Sequence, residues 1–407
     1  MTFDMEQVRS MFPALHSDEG TEPLAYLDSA AQSLIAQTSL DAVEQFETTR
    51  ANVHRGMYKL AEQATGAYED ARKTVQLFLN ASHAQEIIFT KSGTESVNLI
   101  AQSWGRANLQ AGDTVVLSIL EHHSNVVPWL QLKEEKGIDL QWIDCDKQGN
   151  LDLEQYEQIL EKENVKLVAL TGQSNVLGVR LPLKEMIRLA HDAGAITVID
   201  AAQLIVHHPV DVQELDCDFL TFSGHKIYGP TGVGVLYGKC ALLESMPPFL
   251  GGGSMIKWVK NDSFAPADIP TKFEAGTPPT AQAVGLAAAL RWLEQFKWED
   301  IEKHEEELMR YAREMINPIP GVRILSPEKA SGCLSFTLDG VHHHDVAEVL
   351  GERGICMRAG HHCAQPLHDH FKIPGSVRLS TGIYNTKEEI DCVAPALEHA
   401  IQLLSRP

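Results

Sequence analysis

A carboxylate, a hydroxyl and an amine recur at matching places in this chain. Asp200 closes the apolar run Ala195-Ile-Thr-Val-Ile199. Alone, it is the N-cap of a following helix. Ser223-Gly224-His225-Lys226 closes a second apolar run, Phe219–Phe222. A loop lysine alone is a solvated charge. If both loops lie at one edge of a sheet, the Asp200 carboxylate, the Ser223 hydroxyl and the Lys226 amine share one crevice. A third run, Ile87–Thr90, leads into Ser92-Gly93-Thr94-Glu95, which opens an apolar-periodic helix. Hydroxyls and free N–H groups at a helix N-terminus suit a phosphate. His122 follows the run Val115–Ile119, within Glu121-His122-His123-Ser124-Asn125. A histidine pair in a loop is usually surface polarity or an adventitious metal contact. At this edge an imidazole can stack on an aromatic ring and move a proton.

Those groups together meet the needs of pyridoxal phosphate. A lysine amine forms a Schiff base with the cofactor, and a carboxylate pairs with its protonated pyridine nitrogen and deepens the electron sink. Each motif is weak alone, and the combination is specific.

The elements that must position these residues are also legible. Strand candidates are Glu86–Thr90, Thr114–Ile119, Leu140–Ile143, Lys166–Thr171, Ile196–Asp200, Phe219–Phe222 and Val233–Tyr237. Several are continuous Val/Ile/Leu runs, as where both faces of a sheet are covered. Helical patterns alternate with them at Glu95–Ala107, Pro128–Lys136, Leu153–Glu163 and Leu183–Ala193. This alternation predicts a doubly wound α/β domain with a largely parallel sheet, whose ligands bind beyond the carboxyl ends of the strands. The Gly/Pro-rich stretch Pro247–Pro279 reads as an extended loop region, and Thr280–Phe296 as a long helix. The remainder reads as a smaller α+β lobe with strands at Gly332–Thr337 and Gly354–Met357. A terminal helix starts near Thr386, where Thr386-x-x-Glu389 fits a capping box.

At 407 residues the chain exceeds the roughly 250–300 at which single cores stop growing, so two lobes are expected. The formal charge of −21 repels phosphate backbones and anionic lipid, which argues against nucleic-acid and membrane partners. It does not exclude a small anion held by local N–H groups. No apolar run approaches the roughly 20 residues of a membrane span. The N-terminal stretch Met1–Arg9 resembles neither a secretory signal nor a transit peptide, so a cytoplasmic location is the expectation. Seven cysteines with scattered spacings and no C-x-x-C argue against a disulfide framework or a zinc knuckle. No metal site is expected. His342-His343-His344 reads as a solvated turn, because neighbours on a strand point to opposite faces and do not share one ion.

The motifs Thr171-x-x-Ser174-Asn175-x-x-Gly178, Asp200-x-x-Gln203, Ser223-Gly-His-Lys226-x-x-Gly-Pro-x-Gly232-x-Gly234, Phe273-Glu-Ala-Gly-Thr277-Pro and Arg358-Ala-Gly-His-His-Cys363-Ala-Gln-Pro366 resemble those of class V aminotransferases. More narrowly, they are similar to the SufS-type (group II) cysteine desulfurases. The resemblance runs from Leu27-Asp-Ser-Ala-Ala31 and Asn52-Val-His-Arg-Gly56 to Tyr384-Asn-Thr386. The chain departs from the usual pattern at Gly172-Gln173, Ser92-Gly93-Thr94, Ala201 and the run after Arg378.

The resemblance implies a fold type I pyridoxal phosphate-dependent transferase, with a mostly parallel seven-stranded sheet in a large domain over residues 25–284. Residues 1–24 and 285–407 then form the small α+β domain that carries the cysteine loop. It implies that Lys226 is the Schiff-base lysine, that Asp200 contacts the pyridine nitrogen and Gln203 the phenolic oxygen, and that His122 stacks on the ring. Gly93, Thr94, Ser223 and His225 hold the phosphate, with Thr277 contributed by a partner subunit. Asn175 and Arg378 bind the substrate carboxylate, and Arg358 lies near the nucleophile. A homodimer is implied, with Asn52-Val-His-Arg55 contributing across the interface, and so is a sulfur acceptor of SufU or SufE type.

A desulfurase needs Cys363 as a thiolate that attacks the substrate sulfur, leaving a persulfide and alanine. Arg358, His361 and His362 are close in sequence and are expected to supply positive charge that lowers the thiol pKa. As a buried inert thiol, Cys363 would sit in an apolar run, and its run is polar and glycine-containing. The expected activity is therefore L-cysteine desulfuration for Fe–S cluster assembly. The alternatives are a selenocysteine lyase, another class V enzyme in which Cys363 is incidental, and a relay scaffold that has lost turnover. Lys226, Asp200 and His122 together argue against the last.

Overall fold

The computed structural model describes residues 3–16, 24–54 and 56–404. Arg55 of the expected interface segment lies outside the described residues, as do Met1, Thr2, 17–23 and 405–407 of the expected small domain.

Strand β1 (Ala25–Tyr26) precedes the main sheet, which consists of β2 (Ile87–Thr90), β3 (Thr114–Ser118), β4 (Asp139–Ile143), β5 (Val165–Thr171), β6 (Ile196–Asp200), β7 (Phe219–Ser223) and β8 (Gly234–Gly238). Each of the seven expected strands is present to within a residue or two. Their spatial order is β2-β8-β7-β6-β5-β3-β4. Neighbours from β7 to β4 pair in parallel, while β8 runs antiparallel between β2 and β7. Successive side chains point to opposite faces. Ile87 and Phe89 join the larger apolar cluster, with Tyr156, Met186 and Leu286 from the helices on that side. Ile88 joins the opposite cluster, with Val97, Trp129 and Leu132. Covered faces explain why these strands are apolar runs rather than alternating ones.

The stretch expected to be an extended loop carries a hairpin of β9 (Ile256–Val259) and β10 (Phe264–Pro266). The flanking Gly and Pro residues mask these short strands in the sequence. The same stretch is fastened to the main sheet by Glu274. Its carboxylate accepts from Arg72 at 2.7 and 2.9 Å, from the Phe89 N–H at 2.8 Å and from the Tyr68 hydroxyl at 3.0 Å. Both partners of this ion pair are buried. Glu274→Ala leaves the buried Arg72 guanidinium with the half-exposed Glu69, at 3.0 Å, as its remaining carboxylate, and costs up to about 3–5 kcal/mol. Thermal denaturation should show a midpoint lowered by about 3–6 °C, and an unchanged midpoint would contradict this account.

The second sheet, ordered β11-β12-β15-β14, contains β11 (Val322–Ile324), β12 (Cys333–Leu338), β14 (Arg358–Gly360) and β15 (Ser376–Ser380), all antiparallel. Leu334, Phe336, Val377 and Leu379 pack there against Leu308, Val346 and Leu397 from three helices. The expected strand near Gly354 is β13 (Ile355–Cys356), which pairs with β1 rather than joining this sheet. The expected capping box is present, with the Thr386 N–H donating to Glu389 at 2.9 Å. Phe12 sits in the larger apolar cluster, its ring 5.6 Å from Tyr228 and 4.6 Å from Tyr384. His342 caps a helix, His343–Gly351, so this run is a helix start rather than a turn. Among the described residues, no helix is long and apolar enough to cross a membrane.

Candidate active site

The carboxyl ends of five main-sheet strands surround a cavity of about 240 Å³. Asp200, Lys226, His122, Gly93, Thr94, Gln203, Ser223, His225, Asn175, Arg358, Arg378 and Cys363 all line it. Thr277 does not, and it is exposed.

Asp200 is the last residue of β6, opposite Thr221 of β7, so the loop holding Lys226 lies beside it. Its carboxylate accepts from the Ala202 N–H at 3.0 Å and from the Ser124 hydroxyl at 3.4 Å. Burial pushes its pKa up, against these donors and the charge of Lys226. Lys226 Nζ donates to the carbonyls of Ala30 and Ala31. Burial, followed by the charge of Arg378, brings the amine down to about 7. Gln203 reaches the same Ala30 carbonyl at 2.8 Å.

The helix Gly93–Ile100 follows β2, with Ser92 as its N-cap. The Gly93 N–H donates to Ser223 Oγ at 2.8 Å, and Thr94 is exposed to the cavity. β8 starts at this same edge because it runs antiparallel. A Cβ on its first residue, Gly234, would stand 2.2 Å from the Ser92 carbonyl carbon, so only glycine allows this approach. His225 is held down to about 4 by burial and by Lys226.

His122 sits in the turn after β3. Its Nδ1 accepts from the Ser124 N–H at 3.1 Å and pairs with the Ser124 hydroxyl at 2.8 Å. Burial, then Lys226, lowers its pKa to about 4, which leaves a neutral ring at pH 7. Glu121, one residue earlier, ties this turn to β5. It accepts from the Ser118 hydroxyl at 2.5 Å, from Asn125 at 2.7 Å and from the Thr171 N–H at 2.9 Å. Burial raises its pKa to about 8.

The second sheet supplies the arginines. Arg358 of β14 and Arg378 of β15 are register partners. Both bind Asp28, at 3.1 and 3.2 Å. Arg378 is buried, donates to the Asn175 carbonyl at 2.9 Å, and has no partner for its Nε among the described residues. Asp28 appears in the motif Leu27-Asp-Ser-Ala-Ala31, but nothing local in the sequence signals its pairing with residues over 300 positions away.

Cys363 is exposed, in a turn where His362 and Cys363 have φ of +50° and +56°. Asn175 Nδ2 donates to the His362 carbonyl at 2.7 Å. The expected cationic surround is thinner than the sequence suggests. His362 is buried with Nε2 3.1 Å from the Ser376 carbonyl, and burial and Arg378 drive its pKa down to about 2. It is therefore neutral. Ser124 and Gln173 also line the cavity and were not expected from the sequence.

The fold and this donor set define a pyridoxal phosphate enzyme: an amine, a buried carboxylate on the neighbouring strand, a neutral imidazole and a helix N-terminus with hydroxyls all converge on one cavity. The chain belongs to the aminotransferase class-V family, whose model matches residues 25–393. It is 44% identical over 406 residues to a cysteine desulfurase of Pectobacterium atrosepticum, covering 99% of this chain and 100% of that protein. A probable cysteine desulfurase of Vibrio cholerae is also 44% identical, over 405 residues, again covering 99% of this chain and 100% of that protein. Among solved structures, the cysteine desulfurase CsdA of Escherichia coli superposes with a TM-score of 0.92 at 40% identity, covering 99% of this chain and 100% of that one. A cysteine desulfurase of Thermococcus onnurineus gives 0.92 at 38%, covering 98% of each chain.

Proposed function

We propose that this protein is a SufS-type L-cysteine desulfurase that forms a persulfide on Cys363 and passes the sulfur to an acceptor for Fe–S cluster assembly. The observation that carries this reading is an exposed thiol on the wall of the Lys226 cavity, facing the same space as the buried guanidinium of Arg378. The activity named for the relatives at 44% identity supports it.

In this reading Lys226 would hold the cofactor, Asp200 would pair with its pyridine nitrogen, Gln203 would contact its phenolic oxygen and the neutral His122 ring would face it. Gly93, Thr94, Ser223 and His225 would hold its phosphate. When bound, the cofactor supplies an electron sink for the bonds at the substrate Cα. Arg378 and Asn175 orient the substrate carboxylate, with Arg358 and Asp28 beside them. Lys226 Nζ, released as a free amine once the substrate amine displaces it, would take the Cα proton. Cys363 Sγ then attacks the substrate sulfur. The S–S bond forms, the Cβ–S bond breaks, and its electron pair passes to the carbon skeleton, which is protonated and leaves as alanine. The persulfide remains on Cys363 for a SufU- or SufE-type acceptor.

A homodimer completes the site by bringing Thr277 of one chain to the cavity of the other. Met57, Tyr58 and Leu60, just after the Asn52–Gly56 segment, are 99%, 52% and 49% exposed and give that interface an apolar face.

The test is direct. The protein incubated with L-cysteine and a thiol reductant should release alanine and sulfide in equal amounts. Sulfide without alanine, or neither product, overturns the reading. Faster turnover of selenocysteine would instead favour the lyase.

A further inference from the structure

His123 has no part in the assignments above, yet it makes two of the hydrogen bonds that hold the Cys363 turn. Its backbone N–H donates to the Cys363 carbonyl at 2.7 Å. Its imidazole Nε2 accepts from the Gln365 N–H at 3.1 Å. Gln365 opens the helix Gln365–His370, and amide protons in a first turn have no partner within their helix. An acceptor at Nε2 requires a neutral ring with its proton on Nδ1. Partial burial and the neighbouring His361 pull the His123 pKa below its usual value, in keeping with that state.

The turn needs such support. Two successive residues with a Cβ have left-handed backbones, at roughly 1–2 kcal/mol each. Asn175 fixes the His362 carbonyl from the loop after β5. His123 fixes the Cys363 carbonyl and the Gln365 N–H from the turn after β3. His122, the adjacent residue, lines the cavity. One turn of the main sheet therefore presents a ring to the cavity and holds the backbone of the thiol residue.

We propose that the His123 imidazole is a positioning residue: by capping the Gln365 N–H it fixes the Cys363 thiol over the cavity, so that sulfur transfer depends on it and substrate binding does not. The proposal rests on the desulfurase reading for its kinetic arm and on geometry alone for its labelling arm.

The test uses the holoenzyme with His123→Leu, His123→Asn and His123→Gln. Leucine removes the acceptor, asparagine shortens its reach, and glutamine places an acceptor near the Nε2 position. Single-turnover persulfide formation on Cys363, read by intact mass, should fall at least about tenfold in the leucine and asparagine variants, as expected for a misplaced reacting group. The glutamine variant should recover most of the rate. KM for cysteine should stay within about twofold, because the hydrogen bond is absent from the substrate's own contacts. Alkylation of Cys363 by iodoacetamide should accelerate in the leucine and asparagine variants. If the leucine variant fails to fold, the asparagine and glutamine pair decides. Persulfide formation at the wild-type rate in the asparagine variant, equal losses in asparagine and glutamine, or a loss confined to KM overturns the proposal. If wild type itself makes no persulfide, the desulfurase reading fails, and an unchanged alkylation rate separately overturns the role of His123.

Discussion

Lys226→Ala should abolish alanine formation from cysteine, by at least about 10³-fold, and remove the cofactor's long-wavelength absorbance after gel filtration. The magnitude follows from what Nζ does. It is both the covalent anchor and the base at the substrate Cα, and Asp200, His122 and Gln203 offer no second amine at this position. The amine is also prepared for reaction. With its pKa brought down to about 7, the neutral fraction at pH 7 is about a thousandfold larger than for a lysine in water. The sign can be tested on the apoprotein. Only the neutral amine attacks the cofactor aldehyde, so reconstitution should accelerate as pH rises through about 7 and then level off. A rate that climbs tenfold per pH unit as far as 10 would show an ordinary lysine. Retention of the absorbance in Lys226→Ala would show that the cofactor is held elsewhere.

The half of the site built on the main sheet was the legible half. β5, β6 and β7 are apolar runs closed by polar residues, and both the strand ends and the cavity-facing groups follow from that pattern. The arginine half was legible only through the family resemblance, which named Arg358 and Arg378, while the strands that carry them were not. β15 reads Ser-Val-Arg-Leu-Ser, and a central arginine breaks the apolar signal of a strand that is buried throughout. What makes the arginine tolerable is Asp28, which comes from a segment more than 300 residues earlier and joins β15 through a single bridge to Ser380. No local periodicity carries that information. The histidine run before Val346 fails for a different reason. A helix start is recognised by the apolar residues after it, and Val346, Val349 and Leu350 declare that face only once the register is known. His362 shows the limit of reading charge from proximity. It is adjacent to Cys363 in sequence, yet its ring is turned toward Ser376 of β15 and kept neutral there.

Cys363→Ser should separate the two chemistries that share this cavity. The hydroxyl keeps the size and backbone demands of the native residue, so the left-handed turn, the His123 contact and the Asn175 contact all persist. The cofactor's absorbance and its change on adding cysteine should match wild type, because Lys226, Asp200 and Arg378 are untouched. Alanine and sulfide release should nevertheless fall by at least about 10²–10³-fold, because a hydroxyl at neutral pH is not the nucleophile that a thiolate is. No other thiol can substitute. Cys333 is buried with its pKa raised to about 11, and Cys145, Cys217, Cys240, Cys356 and Cys392 do not line the cavity. The variant should also carry no persulfide by intact mass after exposure to cysteine. Full alanine release from Cys363→Ser would mean that the Cβ–S bond breaks without a protein nucleophile, and the chain would then be a class V enzyme in which Cys363 is incidental. Loss of the absorbance change together with activity would place the thiol in substrate binding instead. Only loss of product with an intact absorbance change assigns Cys363 to the sulfur-transfer step.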